Sequence, residues 1–436
     1  MMKQMLPNPI HSSSPLCFNQ AWLDCVFSAA ETVWVGFSGG VDSHVLLHAV
    51  VAQLSCSQRK KLVAVHVHHG LSDNADDWLA HCETVCQQLE VRFVAQRVQL
   101  ETQASLEDAA RNARYQVFES VMSANDVLLL AHHAGDQVET VLFRLLRGTG
   151  GKGLSGIPEQ RSIGQQEARL LRPFLSLSKV DIEHYAKHHE LQWIVDESNV
   201  DESFSRNFIR HSLVPKAQQR FPNMESNIVS TAKRVETDYA ILSRFAQRQL
   251  ALWCNEFGGL ALHDIADLPT EERQFWLREF LARSDISVPH AQLKNLDATF
   301  FSAEDKQPEM QLAKHRLLRH QNRLYLLPLD QTVVLGKLQE GQKLVRAFDL
   351  ATVHGTTDCE LRTRPHGVNL ILPNGKTRSL KKWLNDQGIP SWWREHLPYI
   401  YQHNELVAIG DLWAHPDWQG KVEWEPSERL PLLKKK

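Results

Sequence analysis

Several features that mark whole classes of protein are missing from this sequence. It holds no run of about 18 apolar residues, and its opening stretch MMKQMLPNPIHSSSPL has no long apolar core. A secreted or membrane-spanning protein is therefore not expected. The 7 cysteines, at positions 17, 25, 56, 82, 86, 254 and 359, are odd in number and form no C-x-x-C pair. This argues for reduced thiols in a cytoplasmic protein. Cys82 and Cys86 lie four apart on a helical pattern, without His or Cys partners at finger-like spacing, so burial explains them better than metal ligation. Charge of one sign is lacking too: 48 Lys and Arg face 51 Asp and Glu, a net −3. No global basic charge announces nucleic acid, and any basic surface must be local. Internal repeats and low-complexity tracts are absent, as is the G-x-x-x-x-G-K-[ST] phosphate loop.

What is present is length and apolar content. A chain of 436 residues, 43% of them hydrophobic, is too long for one ordinary core and can bury two or three. From about 32 to 131, short Val- and Leu-rich runs (TVWVGF, LVAVHV, RFVAQRV, VLLLAHH) read as buried strands. Between them, HVLLHAVVAQL, DDWLAHCETVCQQLE and LEDAARNARYQVFESVM repeat apolar residues at helical intervals. Such alternation predicts a doubly wound, mostly parallel α/β sheet with helices on both faces. Ligands in such sheets bind at the carboxyl ends of the strands. SKVDIEHYAKHHELQWIVDES predicts one further helix and a strand ending at Asp196.

After Pro215 the pattern changes to long amphipathic helices, over 227–257 and 270–284. From about 310 strands return (RLYLLPL, KLVRAF, VNLILP), followed by one basic helix, TRSLKKWLNDQG. The expected division is a nucleotide-binding domain over 1–220, a helical domain over 221–330 and a small α+β domain over 331–436.

The first statement about chemistry comes at VWVGFSGGVDSHVLL, residues 33–47. A strand that feeds a glycine-containing turn and opens a helix is a phosphate site by construction, because backbone N–H groups converge there and the helix dipole adds about half a positive charge. The alternative is an ordinary helix cap. GTGGKG, residues 148–153, formally fits the dinucleotide motif G-x-G-x-x-G, but it follows a helical pattern and so fails the contextual requirement. A mobile glycine loop near the nucleotide is expected, with Arg147 and Lys152 available to phosphate.

SGGVDS resembles the signature of the PP-loop pyrophosphatases, enzymes that split ATP between its α and β phosphates. Six further stretches are similar, in order, to the tRNA(Ile)-lysidine synthetase family: HVHHGLSDNADDW (66–78), ARNARYQVF (110–118), AHHAGDQVET (131–140), RGTGGKGLSG (147–156), the Arg172-Pro173 pair and DESNVDESFSRNFIR (196–210). The tail over 362–401 is similar to that family's C-terminal module. The resemblance implies an ATP-dependent ligase that adenylates the wobble cytidine of a CAU-anticodon isoleucine tRNA and joins free L-lysine to it, releasing AMP and pyrophosphate. It implies that Ser38, Gly39, Gly40, Val41, Asp42 and Ser43 hold ATP, with His132 as a nucleotide neighbour. Asp42 and Asp136 are the implied Mg²⁺ ligands. Arg206 is the implied charge stabiliser at phosphorus, a role open to Arg210 as well. His69, Arg114, Asp196, Asn199, Asn207 and Arg210 are implied in binding lysine or tRNA, and the resemblance suggests a homodimer. Where the family commonly shows paired acids this chain has Gly135-Asp136, so the weight falls on Asp136 alone.

Each assignment has a plainer counterpart. His68, His69, His132 and His133 lack tetrahedral zinc spacing, which leaves nucleotide contact or packing. Asp136 and Glu139 would also complement a helix dipole, and Arg206 and Arg210 would also make a charged helix face. In the tail, residues 337–436 carry 15 Lys and Arg against 12 Asp and Glu. Arg378, Lys381 and Lys382 cluster beside Trp383, which suits RNA phosphates with an aromatic for base stacking. Trp383 reads equally as core, and Trp392 reads as core.

Two other functions share the fold class. A tRNA thiolase usually wants a C-x-x-C pair or an appended sulfur carrier, and an amidotransferase wants a glutaminase-like segment; none is seen. A nucleotide-sensing or RNA-binding protein without catalysis is opposed by the intact SGGVDS.

Overall fold

Val33, Trp34 and Val35 are buried on both sides of strand β1 (Val33–Gly36), the pattern of a strand covered on both faces. Val33 and Val35 join one apolar core and Trp34 another, as the two-residue period of a strand requires. The computed structural model describes residues 6–10, 16–70, 72, 74–99, 106–164, 168–195, 197, 205–255, 258–301, 308–312, 314–320, 322–329, 335–345, 349–389 and 392–426. The chain divides into two units, Met1–Ala240 and Ile241–Lys436.

In the first unit, helices α1 (Gln20–Ala29), α2 (Val41–Gln53), α3 (Cys56–Arg59), α4 (Ala75–Gln88) and α5 (Leu106–Val121) alternate with β1, β2 (Leu62–His68) and β3 (Arg92–Arg97). Strand β4 (Val127–Leu129), α6 (Ala134–Leu146), α7 (Gly151–Leu154), β5 (Gln160–Ile163), β6 (Ala168–Leu171) and α8 (Lys179–His188) follow. The six strands lie in the order β3-β2-β1-β4-β6-β5. All neighbours are parallel except β5, which pairs antiparallel with β6. The chain thus moves outward from β1 through β2 and β3, then returns to place β4 on β1's other side. That reversal makes the carboxyl ends of β1 and β4 the switch point where a crevice forms.

Helix α2 is buried nearly all round, from Ser43 to Val51, and packs with Phe18, Phe27, Phe37, Phe174 and Ile182. On the opposite face Val117, Phe118 and Met122 of the α5 region cover Trp34, Val63, Val65 and Leu128. Each such apolar side chain contributes about 1.5–3 kcal/mol on burial. Asp126, a buried acid beside the sheet, is satisfied: it accepts from Trp34 Nε1 at 3.0 Å, Thr32 N at 3.0 Å and Ser123 N at 2.8 Å.

Two features differ from expectation. No strand forms over 191–195: Ile194 N instead donates to Gly39 O at 3.0 Å, so this extended segment braces the turn after β1 rather than joining a sheet. Strand β5, unforeseen, has three of its four residues exposed and forms a polar sheet edge.

Past α8, short helix α9 (Ser205–Phe208) runs into a π-helical turn, Ile209–Leu213, and then into α10 (Val214–Arg220) with Pro215 in its first turn. Helix α11 spans Met224–Trp253. In the second unit α12 (Thr270–Ala282) and α13 (His290–Phe301) share a core with four antiparallel strands: Leu260–Ala261, Glu309–Leu312, His315–His320 and Arg323–Pro328. A second core sits under the antiparallel strands Gly336–Leu338, Cys359–Arg362, Tyr399–Gln402, Glu405–Ile409 and Trp413–Ala414. The basic helix is shorter than its pattern, Leu380–Asp386, because Thr377–Ser379 pairs as a strand with Asn369–Ile371. Among the described residues no helix is long and apolar enough to cross a membrane.

Candidate active site

The turn after β1 holds itself open through its serines. Ser43 Oγ accepts from Ser38 N at 3.2 Å, lies 3.1 Å from Ser38 Oγ and donates to Gly40 O at 3.0 Å. Gly39 stands at φ +85°, and a side chain there would meet Ile194 and, at 2.9 Å, Cys82 Sγ. Only glycine fits. Gly40 caps α2 with ordinary φ −69° and, having no side chain, makes no cap bond, so the cap residue leaves the first N–H groups of α2 uncovered. Val41 and Asp42 form the first turn of that helix. The arrangement is an anion cradle at a helix N-terminus.

Across the switch point β4 leads into α6. His133 caps that helix: its Nδ1 accepts from Gly135 N at 3.0 Å, while Asp136 Oδ2 accepts from His133 N at 2.8 Å. A side chain at residue 135 would come 2.8 Å from His133 Cε1, so glycine leaves room for this ring. His133 Nε2 then stands between the two acids, 3.9 Å from Asp42 Oδ2 and 3.7 Å from Asp136 Oδ2. Burial opposes ionisation of Asp136, but His133, His132, the His133 backbone N–H and Arg210 outweigh it and hold the carboxyl below its usual range.

Basic residues close two further sides. Lys179 Nζ donates to Asp42 Oδ1 at 2.6 Å. Arg210, on the π-helical turn, donates from Nε and Nη2 to the two oxygens of Glu139 at 2.6 and 2.8 Å, and Nη2 lies 3.9 Å from Asp136 Oδ1. The structure brings Arg210 to the carboxylates; Arg206, one turn earlier, lies with its guanidinium 6.0 Å from the Phe143 ring. Asn207 is buried between them in sequence.

His132 and His69 lie at the ends of β4 and β2, and each has a buried Nδ1 without a partner among the described residues. Burial pushes the His132 imidazole well down; Asp136 pulls the other way, and Arg172, Arg111 and Arg114 add to the depression. Burial, with Arg114, His66 and His68, pushes His69 down to about 4. Both rings are neutral near pH 7. Three arginines surround Tyr115 on α5: Arg111 and Arg161 stand over its ring at 5.2 and 4.6 Å, and Arg172 Nη2 lies 3.4 Å from its hydroxyl. A basic wall thus accompanies the acids.

Asp196 and Asn199 lie outside the described residues. In the second unit Lys381 and Lys382 are exposed, whereas Arg378 is tied to Asp386 at 2.8 Å. Trp383 belongs to the core, and Trp392 packs edge-on against His320 and Tyr325 at 4.9 Å each. Lys179 belongs to no motif in the sequence; the local signal beside it is Ser178, which caps α8. All seven cysteines are free, with Cys82 and Cys86 buried.

Among the described residues no group of three or more His, Cys, Asp or Glu could hold a metal. The donor set is two carboxylates, Asp42 and Asp136, each within 4 Å of His133 Nε2. That fits Mg²⁺, which is commonly bound by one or two carboxylates and completes its shell with water and phosphate oxygens. It does not fit a protein-only zinc cage.

Comparison with known proteins agrees with this architecture. A family model described as "PP-loop domain" matches residues 17–217, "TilS substrate binding domain" matches 260–325, and "TilS substrate C-terminal domain" matches 359–430. The tRNA(Ile)-lysidine synthase of Pseudomonas fluorescens is 37% identical over 420 residues, covering 90% of this chain and 93% of its own. That of Legionella pneumophila strain Paris is 34% identical over 392 residues, covering 86% and 90%. Among solved structures, the U34-tRNA thiolase NcsA of Methanococcus maripaludis aligns over 49% of this chain and 77% of its own, at 17% identity and a TM-score of 0.39. With two relatives above 30% identity matched along nearly their whole length, the chain belongs to the tRNA(Ile)-lysidine synthase family.

Proposed function

We propose that this protein uses ATP to adenylate the wobble cytidine of an isoleucine tRNA with a CAU anticodon, then joins free L-lysine to that base. The observation that carries the reading is the meeting, at one switch point, of an anion cradle (Ser38 to Ser43) with the Asp42 and Asp136 carboxylates. Family membership supplies the substrate class.

The chemistry follows from what cytosine lacks. Its carbonyl carbon is a poor electrophile and its oxygen a poor leaving group, so placing AMP on that oxygen solves both problems. The oxygen bonds to the α-phosphorus, the bond to the β-phosphate breaks and pyrophosphate departs. A lysine amine then attacks the activated carbon, a proton is lost from nitrogen, and AMP leaves.

In this reading Ser38, Gly39, Gly40, Val41 and Ser43 grip the pyrophosphate. Asp42 and Asp136 would hold Mg²⁺, whose charge offsets that of the phosphates. His132, a neutral imidazole, contacts the nucleotide. Arg206 stabilises charge at phosphorus, with Arg210 held close by through Glu139. His69, Arg114, Asp196, Asn199, Asn207 and Arg210 receive lysine or the anticodon. Arg378, Lys381 and Lys382 meet the tRNA backbone, with Lys381 and Lys382 carrying more of that contact because Arg378 is already paired. We assign catalysis to residues 1–220, tRNA positioning to 221–330 and tRNA grip to 331–436, in a cytoplasmic protein acting as a homodimer.

The test is incubation with Mg-ATP, labelled lysine and a CAU-anticodon isoleucine tRNA transcript. Label entering RNA only when ATP is present is expected. ATP turnover without RNA labelling, at every lysine concentration, would contradict the proposal.

A further inference from the structure

Helix α6 presents different faces to different neighbours. Asp136 and Glu139 meet His133 and Arg210 on the cleft side. Gln137 and Arg144, seven residues apart and so within roughly 20° of each other around the helix, hold the glycine loop that follows. Ile157 N donates to Gln137 Oε1 at 2.5 Å and Gln137 Nε2 donates to Ile157 O at 3.1 Å, so the amide completes both backbone groups as a neighbouring strand would. Arg144 Nη1 donates to Gly153 O at 3.0 Å and Gly156 O at 2.7 Å, closing the carbonyl end of α7. Gly156 stands at φ +70°, and a side chain there would run into the Gln137 amide, 2.7 Å from its Cδ.

The fit is built from both sides. Gln137 is 5% exposed, a buried amide whose carbonyl and nitrogen are both matched to the loop. The loop it holds runs from Gly148 and carries the exposed Lys152, with Arg147 exposed at its start. The other backbone bonds of the loop are local, from Gly153 N and Leu154 N to Gly150 O, from Ser155 N to Gly151 O and from Gly156 N to Gly153 O, and at Gly148 and Gly150 nothing lies within 4 Å of where a side chain would sit.

We propose that Gln137 and Arg144 are positioning residues. They lock the Gly148–Ile157 loop to the helix that carries Asp136 and Glu139, so that the Lys152 ammonium meets the anionic substrate in fixed register with those carboxylates. The proposal rests on the reading of this cleft as the adenylation site. Without the lock the loop loses its register, and misplacement of about 1 Å in a charged group costs as much as 10²-fold in rate.

The experiment compares intact wild type with Gln137→Leu, which strands the Ile157 backbone groups, and with Arg144→Lys, which keeps charge but ends one bond short of the Nη1 position from which both carbonyls are reached. Trypsin cleavage of the native proteins after Arg147 and Lys152 should accelerate at least about tenfold in both variants, because native cleavage tracks local opening. In lysine incorporation, kcat should fall about tenfold or more while KM for ATP stays within about threefold. Gln137→Glu, which keeps one of the two bonds, should fall between. Combining Gln137→Leu with Arg144→Lys should cost less than the product of the two separate effects, since both act on one loop. Unchanged cleavage, or a fall in kcat without faster cleavage, would overturn the proposal. A wild type that incorporates no lysine would contradict the function proposed above, whereas the cleavage rates would still decide the lock. Should Gln137→Leu fail to fold, Arg144→Lys carries both readouts.

Discussion

Arg210 grips Glu139 with two parallel hydrogen bonds of 2.6 and 2.8 Å, tying a π-helical turn to the helix that carries Asp136. The Glu139 side chain is 9% exposed and that of Arg210 37%. Such a fork fixes orientation as well as charge, and π-helical turns are frequent at functional sites.

Lysine cannot reproduce that fork. Arg210→Lys is therefore expected to lower kcat/KM for lysine incorporation by about 10²-fold. The stability loss should be only about 1–2 kcal/mol, less than for a fully buried pair, because Arg210 keeps solvent contact. Steady-state kinetics and urea unfolding measure the two. Wild-type kinetics in this variant would show that the pair is structural only.

The two glycines of the turn should separate fold from ligand. Gly39→Ala places a side chain at φ +85° against Ile194 and Cys82, and should destabilise the protein by about 1–3 kcal/mol. Gly40→Ala meets only Ser38 Oγ, at 3.5 Å, so its melting temperature should stay near wild type while ATP affinity falls about tenfold or more. Calorimetric binding and thermal unfolding together test this. Equal ATP affinity in Gly40→Ala and wild type would remove the close backbone approach to phosphate.

His44, buried on α2 against Phe37, is pushed down to about 4 by burial, with His81 and His48 adding to the depression against a backbone bond at Gln192. Its folded value lies below the unfolded one of about 6.5, so the unfolded chain binds the extra proton first. Stability contributed by neutral His44 is complete above about pH 6.5 and lost as pH falls toward about 4. The slope of unfolding free energy against pH over that window should lessen by up to one proton in His44→Gln. An unaltered slope would show that His44 does not titrate on unfolding.

In the tail, Lys381→Ala with Lys382→Ala should weaken tRNA binding and flatten its salt dependence by about 0.7–0.9 log units per decade of salt for each phosphate left without its lysine. Arg378→Ala should change that slope less, because Asp386 already neutralises the guanidinium. Filter binding across salt concentrations decides it. The reverse order would mean that Arg378 leaves Asp386 to meet RNA.

The parts of this architecture that are legible in the sequence are those written in local patterns. The Val- and Leu-rich runs announce β1, β2, β3 and β4, and a strand, glycines and a helix in succession announce the turn at Ser38 to Ser43. Pairings between distant segments are not legible. Nothing in the run LQWIV, 191–195, says that Ile194 will bond to Gly39, and its apolar, β-branched composition reads as sheet until that partner is known. Lys179 reaches Asp42 across 137 positions of sequence. The π-helical turn has no composition of its own, so spacing does not tell Arg206 and Arg210 apart. Trp383 beside two lysines suits stacking or core equally, and only the packing of the second unit decides for core.

The most direct measurement is a structure of this protein with Mg²⁺ and a non-hydrolysable ATP analogue bound. The β and γ phosphates should lie on the N–H groups between Ser38 and Ser43, with Asp42 and Asp136 on the metal. Phosphates lodged elsewhere, with that turn empty, would contradict the assignment of the site.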